Sequence, residues 1–245
     1  MLDLSVVLPV YNEEDNLPLL WPELRGVLDP MGLSYEIVFV DDGSRDRSAD
    51  IVRGFRDLDT RVRLVRLKEN AGETAATEAG FKASRGRWVV VMDADLQNDP
   101  QDIPRLLREL DHWDAVTGWR VKRGDGDSIV RRISSRVANR IRNRISDDTI
   151  QDSGCTFRAF RRECLRGLVL YRGFHRFIPT LLRMRGYRVL EIPVNHRPRR
   201  FGQSKYGVLN RAFVALADLL VVRWMKSRQL RYEVAEDLGG DLIRD

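Results

Sequence analysis

The chain has 245 residues, 43% of them hydrophobic and 32% charged, which suffices for one sizeable core and excludes two ordinary domains joined by a linker. Its 42 Lys and Arg against 36 Asp and Glu leave a net charge of +6, which favours anionic partners. Two cysteines, Cys155 and Cys164, and three histidines exclude a disulfide framework and a Cys/His zinc pattern, and indicate a reducing compartment.

Near the start, Leu4-Ser5-Val6-Val7-Leu8-Pro9 has neither the basic segment nor the cleavage site of a signal peptide and reads as a strand over 5–10. A helix follows over 15–28, with Leu17, Leu20, Leu24 and Val27 on one face. The same beat repeats. A strand at 35–40 leads through Asp41-Asp42-Gly43-Ser44 into a helix bearing Ile51, Val52, Phe55 and Leu58. A strand at 62–67 leads through Asn70-Ala71-Gly72 into a helix over 74–84, and a fourth strand spans 88–92. Next come a helix with Ile103, Leu106, Leu107 and Leu110 and a strand at 115–118. This βαβα order predicts an α/β fold, a mainly parallel sheet flanked by helices, with ligands beyond the strands' carboxyl ends.

From Gly118 to Ile145 nine Lys and Arg face two acids, and Ile129, Ile133, Val137, Ile141 and Ile145 recur every fourth residue. That pattern predicts an amphipathic helix over 128–145 with a basic outer face, on which Arg140, Arg142 and Arg144 face solvent or a membrane. Beyond it come a strand at 156–160, a helix at 177–185, a strand at 187–194 and a final, nearly all-apolar helix at 208–225. Asp218 and Arg223 interrupt the most apolar stretch, which is too short to span a bilayer. The predicted organisation is a domain over 1–206, an amphipathic helix over 207–232 that packs on the domain, docks a membrane partner or lies in the bilayer interface, and a frayed tail over 233–245.

The sharpest chemical signal is Asp93-Ala94-Asp95-Leu96-Gln97 directly after the apolar run Val89-Val90-Val91. Carboxylates at i and i+2 of a strand end point the same way, and Gln97 continues that side if the chain stays extended. Such a pair repels itself unless a cation lies between, and oxygen ligands suit Mg²⁺ or Mn²⁺ bridging to phosphate. Pro9-Val10-Tyr11-Asn12-Glu13-Glu14 and Val40-Asp41-Asp42-Gly43-Ser44 end neighbouring strands on the same edge. There Tyr11 can flank a nucleobase, and Asp41 or Asp42 can accept hydrogen bonds from base or ribose. The alternative is that Asn12, Asp42 and Ser44 only cap helices. Arg120, Arg123, Arg131, Arg199 and Lys205 are the expected phosphate contacts. Cys155 and Cys164 read as core residues, and His175 and His196 receive no role.

Together these strings, with Arg131 and Ser135, Asp152-Ser153-Gly154-Cys155 and Arg199-Arg200-Phe201-Gly202-Gln203-Ser204-Lys205-Tyr206, resemble a family 2 glycosyltransferase of the GT-A fold. The branch they resemble holds dolichyl-phosphate mannose synthase and bacterial polyprenyl-phosphate glycosyltransferases. The resemblance implies that Pro9, Tyr11, Glu13 and Asp41 or Asp42 meet the nucleoside and that Asp93, Asp95 and Gln97 hold the divalent ion. It also implies that Arg120, Arg131, Ser135, Arg199 and Lys205 contact the donor diphosphate or the acceptor phosphate. Two departures stand out: Asn98-Asp99-Pro100 replaces the usual Asp-Pro-Pro, and the membrane-spanning helices of many relatives are missing after Met225.

The expected reaction is inverting transfer of a sugar from a nucleotide diphosphosugar, GDP-mannose or a UDP-hexose, to polyprenyl phosphate. The expected location is the cytoplasmic face of an anionic membrane, with room for a separate membrane subunit. The phosphate acceptor is already anionic near neutral pH, so cations that offset its repulsion from the donor matter more than a base. A soluble transferase with a glycan or protein hydroxyl acceptor would share the donor site and need a base such as Asp152. Nucleic-acid binding is suggested by the arginine-rich helix alone and disfavoured because its cations are not interleaved with stacking aromatics. A dinucleotide dehydrogenase is disfavoured because no Gly-x-Gly-x-x-Gly follows the first strand, and no Gly-Lys-Ser/Thr phosphate loop is present either. Arg199→Ala and Lys205→Ala are expected to lower turnover by about 100-fold or more while far-UV circular dichroism is unchanged; wild-type rates in both would remove their assigned role.

Overall fold

The computed structural model describes residues 2–121, 150–201 and 208–230, the side chains of 208–215 excepted. In chain order it contains β1 (Leu4–Val10), α1 (Leu17–Leu28), β2 (Tyr35–Asp41), α2 (Ser48–Leu58), β3 (Val62–Arg66), α3 (Glu73–Ala83), β4 (Trp88–Val91) and α4 (Ile103–Glu109). There follow β5 (Ala115–Arg120), β6 (Arg158–Arg161), α5 (Ile178–Met184), β7 (Val189–Val194) and α6 (Val208–Ser227). The predicted basic helix over 128–145 and the tail over 233–245 lie outside the described residues.

Seven strands form one sheet in the order β3-β2-β1-β4-β6-β5-β7. Central strands are buried on both faces, so they read as unbroken apolar runs; Val6, Val7 and Leu8 of β1 are fully buried. Each such side chain contributes about 1.5–3 kcal/mol. Leu17, Leu20, Leu24 and Leu28 of α1, Val52 and Phe55 of α2 and Ile103, Leu106 and Leu107 of α4 pack on one face with Leu4, Leu8, Ile37 and Phe39. Ala76 and Phe81 of α3 and Ile178 and Leu182 of α5 cover the other face against Val7, Val38, Val89 and Val91.

The chain leaves β1 outward to β2 and β3, then crosses back to place β4 on the other side of β1, all in parallel. The crevice at that reversal is where open α/β sheets bind ligands. β6 adds a feature that the alternating pattern did not reveal: it lies between β4 and β5 and runs antiparallel to both. The physical reason is its starting point. β5 ends at the carboxyl edge, the segment leading into β6 begins there too, and a strand starting at that edge can only run back down. β7 is parallel to β5 and ends at the same edge, bringing residues 195–199 to the site.

One predicted face is corrected, and one that the sequence left open is decided. Leu58 is 76% exposed, because the buried stripe of α2 is Ala49, Val52 and Phe55. On α6, Leu219 and Val222 pack into a cluster with Phe174, Phe177 and Leu181, while Leu216, Leu220 and Trp224 are exposed. A helix that is apolar nearly all round offers periodicity no way to choose between these faces.

Gly80 marks the seating of α3: a Cβ there would lie 2.2 Å from Val7 Cγ1 and 3.2 Å from Val40 Cγ2. Val7 is a stiff β-branched side chain in a closed core and cannot swing aside. Gly80→Ala is therefore expected to destabilise the fold by about 1–3 kcal/mol, read as a lower urea midpoint at unchanged slope.

Candidate active site

The loops after β1 and β2 are joined side by side. Asn12 N donates to Ser44 Oγ (3.0 Å), Glu13 N to Ser48 Oγ (2.8 Å) and Arg45 N to Asn12 Oδ1 (2.8 Å). Asn12 itself adopts a left-handed φ of 56°, tolerable for an asparagine. These polar side chains therefore bind loop to loop, and neither Asn12 nor Ser44 is the N-cap of the helix that follows it. Asp42 then ties in the loop before α3, accepting from Ala71 N (2.8 Å), Gly72 N (2.9 Å) and Asn70 Nδ2 (2.9 Å). Gly43 permits this approach, since a Cβ there would lie 2.6 Å from the backbone of Glu69. Burial raises the Asp42 pKa against the lowering effect of the two backbone N–H groups.

A cavity of about 280 Å³ opens above these ends, lined by Pro9, Tyr11, Glu13, Asp42, Asn70, Glu73, Asp93, Asp95 and Arg199. Of the two acids expected to face a nucleoside, Asp42 lines it and Asp41 does not. Successive side chains point to opposite sides, and Asp41 is buried against Ser44 N (3.2 Å) and Arg66 Nε (3.1 Å).

Asp93 and Asp95 follow the end of β4 and both face the cavity. Asp93 accepts from Thr156 Oγ1 at 2.6 Å, and its pKa is raised by burial first and by the Asp95 charge second. Asp95 accepts from Gln97 N (3.1 Å) and from Arg199 (2.9 Å). Extended geometry stops at Leu96, whose φ of 63° turns the chain, so Gln97 does not line the cavity beside the acids. Its Oε1 instead accepts from the same Arg199 nitrogen at 3.2 Å. Gln97 thus converges on Asp95 through a shared cation. These observations fit a divalent ion: the donors are all oxygen, two carboxylates repel at close range, and a cation already bridges Asp95 and Gln97.

On the flank of Asp93, Arg120 and Asp152 form a forked pair, Nε to Oδ2 at 2.7 Å and Nη2 to Oδ1 at 2.8 Å. Beside it the fully buried Arg158 donates to Thr117 Oγ1, Ser153 O and His175 O. Burial lowers the Arg158 pKa, opposed by the charges of Glu73, Asp93 and Asp152. Both Arg120 and Arg158 act on Asp93.

Residues 5–169 match glycosyl transferase family 2. The chain belongs to that family. It is 41% identical over 206 residues to the undecaprenyl-phosphate 4-deoxy-4-formamido-L-arabinose transferase of Edwardsiella ictaluri, covering 84% of this chain and 63% of the relative. Against the protein of the same name from Salmonella paratyphi A it is 37% identical over 217 residues, covering 88% and 64%. The chain therefore spans somewhat under two thirds of the length of these relatives. In fold it is similar to glucosyl-3-phosphoglycerate synthase from Mycobacterium tuberculosis, solved with Mn²⁺ and UDP-glucose, at a TM-score of 0.67 and 19% identity over 90% of this chain and 79% of the other. The fold is thus GT-A-like, a mixed, mostly parallel sheet flanked by helices.

In this family 2 chain the structure brings together Pro9, Tyr11, Glu13, Asp42, Asp93, Asp95 and Arg199, with Gln97 behind Arg199 and the Arg120–Asp152 pair at the flank. Arg123, Arg131, Ser135 and Lys205 lie outside the described residues. Cys155 and Cys164 are buried, and burial pushes their thiols up to about 11 and about 12, which suits core residues and not nucleophiles. Sequence reading missed Glu73 and Arg158. The one available signal was Arg158 itself, a charge inside a predicted strand, which must find partners when buried.

The Asp152 fork makes a direct prediction. Asp152→Asn removes a charge from a buried pair and is expected to lower thermal stability by about 2–4 kcal/mol equivalents of unfolding free energy, as breaking one partner of a buried pair does. A carboxylate serving only as a proton acceptor would leave the melting curve unmoved.

Proposed function

We propose that this protein transfers one sugar, with inversion, from a nucleotide diphosphosugar to the phosphate of a polyprenyl lipid. The observation that carries the reading is a single cavity holding the Asp93/Asp95 pair, Arg199 and the Tyr11 and Asp42 wall. Family membership and the names of the curated relatives support it, and those relatives point to 4-deoxy-4-formamido-L-arabinose as the sugar and undecaprenyl phosphate as the acceptor.

In this proposal Pro9, Tyr11, Glu13 and Asp42 hold the nucleoside. Asp93 and Asp95 would hold Mg²⁺ or Mn²⁺, which when bound supplies Lewis-acid stabilisation of the departing diphosphate, while Gln97 meets Asp95 through Arg199. Arg199 carries positive charge at the same oxygens and orients phosphate beside them. The acceptor phosphate is an anion with its second pKa near 6, so the chain's task is to offset repulsion and align attack. Asp152, with both oxygens accepting from Arg120, acts as the residue that positions Arg120. That arrangement weighs against the hydroxyl-acceptor alternative, which needs Asp152 as a base. Arg131, Ser135 and Lys205 are proposed as further phosphate contacts on the family resemblance, and Arg123 on its place in the basic segment.

No helix among the described residues is long and apolar enough to cross a membrane. Peripheral attachment at the cytoplasmic face is part of the proposal, supported by exposed Leu216, Leu220 and Trp224 on α6, a face suited to the interfacial region.

The test is transfer of label from UDP- and GDP-sugars, UDP-4-deoxy-4-formamido-L-arabinose among them, to undecaprenyl phosphate in detergent. With one donor, label is expected in the organic phase with Mn²⁺ and lost with EDTA, and Asp95→Ala is expected to reduce the rate by about 100-fold or more. Donor hydrolysis without lipid product would move the acceptor to a hydroxyl, and absence of donor binding would sink the proposal.

A further inference from the structure

The cavity has another carboxylate, which no motif in the sequence marks, one residue beyond the Gly72 N–H that donates to Asp42. Glu73 is the first residue of α3 and lines the cavity together with Asp42, Asp93, Asp95 and Arg199. Its Oε2 lies 3.5 Å from Nε2 of His175, a residue far along the chain in the short turn Phe174–Phe177.

The orientation of that imidazole is set by a chain of hydrogen bonds. Gly173 N donates to Thr74 Oγ1 at 3.0 Å, so the threonine's own proton is left for His175 Nδ1 at 2.7 Å. With Nδ1 accepting that proton the neutral ring carries its hydrogen on Nε2, toward Glu73; a protonated ring carries one on each nitrogen, Nδ1 then donating to the threonine oxygen and Nε2 still facing Glu73. Arg158 fixes the backbone below, donating to His175 O at 2.5 Å, and feels the charges of Glu73 and Asp93. The turn is seated from behind as well. Phe174 and Phe177 are buried with Leu181, Leu219 and Val222, and Gly173, at a φ of +87°, would place a Cβ 2.7 Å from Asp218 Oδ2.

A glutamate opening a helix gains from the helix dipole on its own account. That gain needs no histidine, whereas here a threonine hydroxyl, a glycine N–H and a buried arginine aim one imidazole N–H at it. A carboxylate repels the diphosphate, which belongs with Arg199. The nucleoside has Pro9, Tyr11, Glu13 and Asp42. What is left for Glu73 is the neutral, donor-rich part of the ligand. Resting on the nucleotide-sugar reading above, we infer that Glu73, oriented by His175, accepts hydrogen bonds from the hydroxyl or amide N–H groups of the transferred sugar and so selects which sugar is taken. His175 is a positioning residue.

The test is calorimetric titration of the full chain, in Mn²⁺, with UDP and with UDP-4-deoxy-4-formamido-L-arabinose. Wild type is expected to bind the sugar nucleotide more tightly than UDP. Glu73→Gln and His175→Ala are expected to lose about tenfold in affinity for the sugar nucleotide, the scale of one charge-assisted hydrogen bond, while UDP binding stays within about twofold. His175→Gln, which keeps an N–H, is expected to recover part of the His175→Ala loss. Unchanged UDP binding doubles as the check that each variant is folded. Equal losses for both ligands, no loss for either, or a wild type that gains nothing from the sugar would overturn the inference. A wild type that binds neither ligand would instead remove the nucleotide-sugar reading beneath it.

Discussion

Two carboxylates two residues apart at the end of a buried strand repel each other, and much of the surrounding structure answers that repulsion. Thr156 donates to Asp93, Arg199 to Asp95, and the Asn98 side chain accepts from Asp93 N to hold the turn. Arg120 and Arg158 add positive charge on the flank of Asp93. Even so, burial and Asp95 together keep the Asp93 pKa raised. A pair left in that condition favours any cation that reaches it, which is the physical basis for a divalent ion and for the guanidinium that bridges Asp95 and Gln97.

Sheet topology determines which residues share in that site. Because β2 and β4 flank β1, the loops carrying Tyr11, Asp42 and Asp93 emerge side by side at strand spacings of about 5 Å. Antiparallel β6 matters as much. It begins at the carboxyl edge, so Asp152, Thr156 and Arg158 come to the acid pair from a distant part of the chain. β7 does the same for Arg199, and Arg197 N donating to Gln97 O pins the returning segment to the turn after Asp95.

Much of the fold was legible in the sequence, since buried parallel strands are unbroken apolar runs and their helices carry one apolar stripe. The strands and helices from β1 through β5 follow that rule closely. The exceptions have physical causes. Leu58 sits at the end of α2, beyond the last turn that touches the sheet, so its apolar character alone did not place it. On α6, apolar residues surround the helix, and the neighbours Phe174 and Leu181 decided that Leu219 and Val222 turn inward. At Leu96 a single positive φ broke the alternation that had aligned Gln97 with the acid pair.

The amino-acid sequence by itself determined the element order, the acid pair, the polar strings that end β1 and β2 and the family resemblance, because each depends on residues within a few positions of one another. Tertiary structure alone decided that Asp42 and not Asp41 faces the cavity, that Asp152 is forked to Arg120, and that Arg199 bridges Asp95 and Gln97. It alone joined Thr74, His175 and Glu73 into one contact chain, whose Glu73 end lines the cavity with Asp93. Those contacts link residues tens of positions apart, and their geometry follows from strand order and the direction of β6, which no local pattern of hydrophobicity or charge encodes.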